Sequence, residues 1–366
     1  MKINILLPYK ERFDLNKASS VSITVKNNLF YSCYLNDIKI FGQDVKNPIS
    51  KNNFIGVKKS LFLFTGKNIF LTNKMLDIIL DCDDKKQLIE VHNRPYLINE
   101  ITKKTKSFPI SLFFHNNPKT MKGSKSIQER ENILQKCAAV FCVSKFIKKQ
   151  FLDGIKEDYK KVHVLYNGVD RKLKNFPLKQ KEVLFVGRLV FEKGVDLFID
   201  AMKSIAFRFP DWSFVLIGSS KLGDNDNIKP YAHQAIEKFK TIGAQAKFYG
   251  FKDHDFVQEK MKNSSIIIIP SLWEEPFGLV AAEAMSNGLA IIASKVGGIP
   301  EIVEGNGILI NNINQEKLEE AIIDLINNKD KRVMLQKKAW DNFKLSSTSS
   351  SRKLDDYRKT IFQSHF

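Results

Sequence analysis

Two carboxylates, Glu275 and Glu283, stand eight residues apart in the run Glu275-Pro276-Phe277-Gly278-Leu279-Val280-Ala281-Ala282-Glu283. An apolar strand, Ile266 to Ile269, and Pro270-Ser271 precede the run; a helical pattern and a second strand, Leu289 to Ala293, follow it. A loop between strand and helix, at the carboxyl end of a parallel sheet, is where an open α/β fold takes its ligands. Pro276 suits the first turn of a helix, where its missing N–H costs nothing, and Gly278 lets the backbone approach a ligand closely. The pattern therefore predicts a helix whose free N–H groups, from about Phe277 to Val280, form a site for an anion. Glu275 lies just before that tip and Glu283 about two turns beyond it. A carboxylate repels a phosphate, so the two glutamates suit sugar and ribose hydroxyls, with cations and helix N–H groups left for phosphates.

Those cations occur in Gly187-Arg188-Leu189-Val190-Phe191-Glu192-Lys193-Gly194, which follows the strand Glu182 to Val186 and opens the next helix. Arg188 can fork onto a phosphate, and Lys193 can act on the same group as a point charge. Gly187 and Gly194 permit the turn. Either motif alone arises often by chance. Both occur here in order, roughly ninety residues apart, each between a strand and a helix, and together they point to one site for a phosphorylated sugar.

The elements that must position these residues alternate along the whole chain. Strands are expected at Ile3–Leu7, Ile38–Phe41, Leu88–Val91, Ile110–Phe114, Ala139–Cys142 and Val162–Leu165. A second set is expected at Val183–Val186, Ser213–Ile217, Lys247–Tyr249, Ile266–Ile269 and Leu289–Ala293. With helical patterns between them, they indicate two doubly wound parallel sheets. The polar, basic stretch Gly168 to Lys181 reads as a linker, 315–328 and 330–343 as helices, and Ser346 to Ser351 as a Ser/Thr-rich break. The domains expected are 1–170, 171–345 and a final helix, 346–366.

Taken in order, several short motifs resemble family four of the glycosyltransferases, retaining enzymes of the GT-B fold. They are Tyr166-Asn167-Gly168-Val169-Asp170, Val186-Gly187-Arg188-Leu189 with Lys193-Gly194, Val215-Leu216-Ile217-Gly218 and Tyr249-Gly250-Phe251. The Glu275–Glu283 segment, Gly297-Gly298-Ile299-Pro300-Glu301 and Gly307-Ile308-Leu309 complete the set. The resemblance implies two Rossmann-like domains facing across a cleft, the first binding the acceptor and the second the nucleotide-sugar donor, with the last helix crossing back to the first domain. It implies that Arg188 and Lys193 bind the donor diphosphate, Glu275 the sugar hydroxyls and Glu283 the ribose. Gly187, Phe277, Gly278 and Leu279 would add donor contacts. His115, in Phe114-His115-Asn116-Asn117-Pro118, matches a family histidine near the donor sugar and acceptor. His92, in Val91-His92-Asn93-Arg94-Pro95, also ends an apolar strand and lines the acceptor side. The catalytic set is then Glu275, His115, Arg188 and Lys193. The family's glycine pair after the first strand is missing: the loop runs Pro8-Tyr9-Lys10-Glu11-Arg12 to Ala18-Ser19-Ser20, leaving Ser19 as the small donor-side residue.

Charge is uneven. Residues 1–175 carry 32 lysines and arginines against 16 acidic residues, and the remainder 26 against 24. A basic first half attracts anions. Its densest clusters are Lys103-Lys104-Lys106, Lys119-Lys122-Lys125 and Lys145-Lys148-Lys149. In the last of these, Phe146, Ile147 and Phe151 sit among the lysines either as a membrane-lying face or as core. Lysine outnumbers arginine, and no helix-turn-helix, zinc finger or ribonucleoprotein motif occurs, which argues against nucleic acid. The N-terminal Met1 to Pro8 reads as a buried strand and not a signal peptide, and no apolar run approaches the ~18–20 residues that span a bilayer. Cys33, Cys82, Cys137 and Cys142 read as buried free thiols without zinc spacing. Asp81-Cys82-Asp83-Asp84 resembles a metal-binding aspartate motif of another fold, but here it precedes a strand as an ordinary acidic turn. Neither metal nor cofactor is expected.

The expectation is a retaining, metal-independent hexosyltransferase using a nucleotide sugar, a UDP-sugar ahead of a GDP-sugar. Its acceptor would be a glycan or lipid at the inner face of the cytoplasmic membrane, lipopolysaccharide core being one class, with the protein cytoplasmic and peripherally attached. The alternatives are a nucleotide-sugar epimerase or sugar phosphorylase of similar fold, or a catalytically silent carbohydrate- or membrane-binding subunit.

Overall fold

The computed structural model describes residues 1–58, 66–156, 159–220 and 229–366. They form two compact units, Met1–Gly168 with Ser347–Phe366, and Val169–Ser346.

In the first unit the strands are β1 (Lys2–Leu6), β2 (Ile38–Gln43), β3 (Phe54–Val57), β4 (Gln87–His92), β5 (Ile110–Phe114), β6 (Ala139–Cys142) and β7 (Val162–Val164). They pair in parallel in the order β3-β2-β1-β4-β5-β6-β7. The second unit holds β8 (Gln180–Val186), β9 (Ser213–Ile217), β10 (Ala246–Gly250), β11 (Ser264–Ile269), β12 (Ala290–Ser294) and β13 (Ile308–Ile310), in the order β10-β9-β8-β11-β12-β13. Both sheets are doubly wound. The order reverses between β1 and β4 in one and between β8 and β11 in the other, and such reversals open the crevice where ligands bind.

Central strands are buried on both faces, as parallel strands flanked by helices must be; every residue of β4, β5, β11 and β12 is buried. Two strands escaped the sequence reading, β3 and β13. Both lie at sheet edges and are only partly buried; their residues are apolar, but runs of four and three are too short to stand out.

The final helix, Ser347–His365, belongs to the first unit. It begins inside the Ser/Thr stretch that the sequence presented as a break. Ser350 Oγ donates to the Tyr166 carbonyl and Ser351 Oγ to that of Asn28, so these hydroxyls bond to main chain instead of interrupting the helix. Leu354, Ile361 and Phe362 join the core built on Ile3, Ile5, Val21 and Ile40. Arg358, fully buried, forks onto both oxygens of Glu90 in β4 at 2.8 Å and reaches Asp355 at 3.0 Å. A planar guanidinium between two carboxylates satisfies charges that would otherwise be stranded in the core.

One open alternative is decided and one expectation corrected. In the lysine-rich helix Lys145–Leu152, Ile147 and Phe151 are fully buried, so its apolar face is core and not a membrane surface. Of the cysteines, only Cys137 and Cys142 are buried, with burial pushing both thiols up; Cys33 and Cys82 are exposed. Among the described residues, no helix is long and apolar enough to cross a membrane.

Candidate active site

The loops after β8 and β11 carry the second unit's candidates, and these strands are neighbours at the point where strand order reverses. The loops touch. Gly194 holds a left-handed conformation at φ 67°, and a Cβ there would lie 1.9 Å from the Pro270 carbonyl oxygen, so only glycine fits. Leu272 N–H donates to the Glu192 carbonyl at 2.9 Å.

This contact brings Lys193 onto Glu275. The lysine Nζ donates to Oε1 of the carboxylate, which also accepts from Ser271 Oγ at 2.9 Å. Both partners are largely removed from water, with side-chain exposures of 22% and 10%. Lys193 also lies 5.4 Å from the ring centre of Trp273. The sequence placed Lys193 on phosphate and Glu275 on hydroxyls; in the structure the two are joined. Glu275 Oε2 has no partner among the described residues. The Glu275 carbonyl accepts from Gly298 N–H at 2.7 Å, which fixes the main chain at the carboxylate. Arg188 is exposed, without a side-chain partner among the described residues, while Gly187 N–H donates to the Ile217 carbonyl.

The helix after Glu275 starts later than expected. It spans Leu279–Ser286, and Gly278 precedes it in a left-handed conformation at φ 98°. Pro276 and Phe277 therefore lie outside it, in the loop, and Phe277 is buried. The N–H groups of Leu279 and Val280 head the helix with no acceptor among the described residues, where the sequence pattern predicts free N–H groups from about Phe277 to Val280. Glu283 is about one turn in, not two. It is 6% exposed, and its Oε1 is 2.9 Å from His254 Nε2. His254 opens the helix His254–Asn263, capped by Asp253. Sequence reasoning missed His254 and Ser271. A histidine just past a strand end was the available signal for the first; nothing distinguished the second.

In the first unit, His92 ends β4 and His115 follows β5, its parallel neighbour. Adjacent strand ends put the two rings together: His92 Nδ1 lies 2.8 Å from His115 Nε2. His92 also stacks on Phe113. Burial lowers the pKa of His115 to about 4. Burial, then the nearby His115 and Arg358, lowers that of His92 well below its usual value. Asn93, with positive φ of 52°, turns its Oδ1 to accept the main-chain N–H of His115 at 2.9 Å, a conformation that asparagine tolerates. Ser19 caps the helix Ser20–Phe30, accepting from Ser22 N–H at 3.3 Å. Its hydroxyl is thus committed to the cap.

Comparison with known proteins bears on the family and the fold. The family description Glycosyl transferases group 1 matches residues 168–341, and Glycosyltransferase Family 4 matches 43–173. Spore coat protein SA of Bacillus subtilis is 30% identical over 68% of this chain and 71% of its own length. An uncharacterized glycosyltransferase of Methanocaldococcus jannaschii is 38% identical over 54% of this chain, which spans about half of that relative, 52%. The crystal structure of Anabaena HepE with UDP and glucose superposes with a TM-score of 0.76 at 19% identity, covering 98% of this chain and all of that one. The chain belongs to the group 1 glycosyltransferases, and its fold is that of the GT-B enzymes.

Proposed function

We propose that the protein is a retaining, metal-independent glycosyltransferase that moves a sugar from a nucleoside-diphosphate donor, UDP ahead of GDP, to a membrane-associated glycan or lipid. The observation that carries this reading is the pairing of Lys193 with Glu275 beside the tip of the helix Leu279–Ser286, with an exposed Arg188 on the adjoining loop. A departing diphosphate gathers negative charge on its β-phosphate. Arg188, Lys193 and the Leu279 and Val280 N–H groups meet that charge, supplying what a metal ion would otherwise bring. Lys193 has three N–H donors, so it can keep Glu275 and still reach a phosphate. Glu275 Oε2 remains for donor-sugar hydroxyls, and Glu283, oriented by His254, for those of the ribose.

No side chain in this set is placed as a nucleophile. With the configuration retained, as in the family this chain resembles, substitution then occurs on one face of the sugar. The bond from the anomeric carbon to the phosphate oxygen breaks with its electron pair leaving on the diphosphate. The acceptor oxygen bonds to the same face, and its proton passes to the departing phosphate. His92 and His115 serve the acceptor side. UDP is preferred because it occupies the similar fold of HepE. A membrane acceptor, lipopolysaccharide core being one class, fits the basic first unit at the inner face of the cytoplasmic membrane. There Lys103, Lys106, Lys122 and Lys136 line an open groove of about 970 Å³.

Incubation with a panel of UDP-sugars and a membrane-lipid extract tests the proposal, with proton NMR of the product's anomeric centre. The expected result is acceptor-dependent UDP release and retained configuration. Sugar release or rearrangement without acceptor would point to a phosphorylase or epimerase. No consumption of any donor would point to a silent binding subunit.

A further inference from the structure

The pair formed by His92 and His115 has a second end. If both rings are neutral, one proton serves the 2.8 Å contact between His92 Nδ1 and His115 Nε2. The other ring nitrogen of His92, Nε2, is buried and has no hydrogen-bond partner among the described residues; the residue is 3% exposed. Asn28, on the helix Ser20–Phe30 and 5% exposed, has an Oδ1 in the same condition. Both side chains line one cavity of about 10 Å³, whose other polar lining residues are Thr24, His115, Tyr166 and Asn167. That is room for a single water, and buried waters characteristically sit where otherwise unsatisfied polar groups converge.

We propose that this cavity binds one ordered water, which accepts from His92 Nε2–H and donates to Asn28 Oδ1, and that His92 is thereby a positioning residue that sets the tautomer of His115. With the proton of His92 on Nε2, its Nδ1 is a bare acceptor. The proton in the histidine pair then belongs to His115 Nε2, and His115 Nδ1 is left as a lone pair able to accept from a substrate hydroxyl. The opposite arrangement, with His92 protonated on Nδ1, turns two acceptors into the cavity. A water there would give up both hydrogens and receive none from Thr24, whose hydroxyl already donates to the Ser20 carbonyl at 3.0 Å. The proposed arrangement matches one donor with one acceptor. The use of His115 Nδ1 rests on the transferase reading above; the water and the tautomers do not.

The test is a long-range proton–nitrogen correlation spectrum of the ¹⁵N-labelled full chain at neutral pH, with the two histidines assigned from His92→Gln and His115→Gln variants. The proposal expects both rings protonated on Nε2, with the His92 Nε2–H slow to exchange. Asn28→Leu removes the acceptor and should transfer the proton to His92 Nδ1, making His115 the Nδ1–H tautomer. Asn28→Asp keeps an acceptor and should preserve the wild-type pattern. A wild-type His92 protonated on Nδ1, or unchanged tautomers in Asn28→Leu, would overturn the proposal. Should Asn28→Leu not fold, the wild-type spectrum decides alone. Because no turnover is measured, the transferase reading stands or falls separately.

Discussion

Replacing Glu275 by glutamine should move two measurable quantities in opposite directions. Glutamine keeps the shape of the side chain and can still accept from Ser271, and the main-chain bond from Gly298 to residue 275 is untouched. What disappears is the negative charge that holds Lys193. A carboxylate near a diphosphate, partly screened by water, repels it by about 1 kcal/mol. Relief of that repulsion, with Lys193 released, should tighten UDP by about fivefold. Turnover should fall, because a charge-assisted hydrogen bond to a donor-sugar hydroxyl, worth about 1.5–3 kcal/mol, is weakened in the transition state. That is a loss of roughly 10- to 150-fold. Calorimetric titration with UDP gives the first quantity, and UDP release from the nucleotide sugar that wild type consumes gives the second. Weaker UDP binding in step with lower turnover would refute the reasoning, since Glu275 would then be supporting the phosphate site. Unchanged turnover would remove it from the chemistry.

Other consequences are as direct. Arg188→Ala should weaken UDP binding by about 1.5–3 kcal/mol, the range for a charge-assisted hydrogen bond, while leaving thermal stability unchanged; equal UDP affinity in titration would exclude Arg188 from the site. Arg358→Met strands Glu90 and Asp355 in the core of the first unit and should cost about 3–5 kcal/mol, read as earlier denaturant unfolding; a midpoint within error of wild type would show that the fork carries no stability. Acid should destabilise the first unit through His115. Above the unfolded pKa near 6.5 both states are neutral, but as pH falls toward the folded value of about 4 only the unfolded chain binds the proton. About 3 kcal/mol is therefore lost across that window, His92 acts in the same direction, and His115→Gln should flatten the profile of stability against pH.

Much of this arrangement could be read from the chain because parallel strands buried on both faces are written as apolar runs. Ile110–Phe114, Ala139–Cys142 and Ser213–Ile217 occupy the expected residues, and other central strands differ by one to three at their ends. The chemistry-bearing residues at strand ends were equally visible, since Arg188, His92, His115 and Glu275 each follow such a run. What depends on three-dimensional loop contact was not visible. Lys193 and Glu275 are 82 positions apart, and their meeting rests on a left-handed Gly194 packed against Pro270. The later start of the helix Leu279–Ser286 follows from a left-handed Gly278, which overrides the usual signal of proline at a first turn. In the helix Lys145–Leu152, spacing alone left two faces open, and burial of Ile147 and Phe151 chooses the core.

The central claim is a nucleoside-diphosphate site in the second unit, with Glu283 on the ribose. Thermal unfolding with millimolar UDP, GDP, ADP and CDP, on wild type and on Glu283→Ala, tests it most directly. A ligand at a hundred times its dissociation constant adds about 2.7 kcal/mol. The account predicts that UDP raises the wild-type transition most and that Glu283→Ala loses most of that shift. No shift with any nucleotide, or an equal shift in the variant, would contradict it.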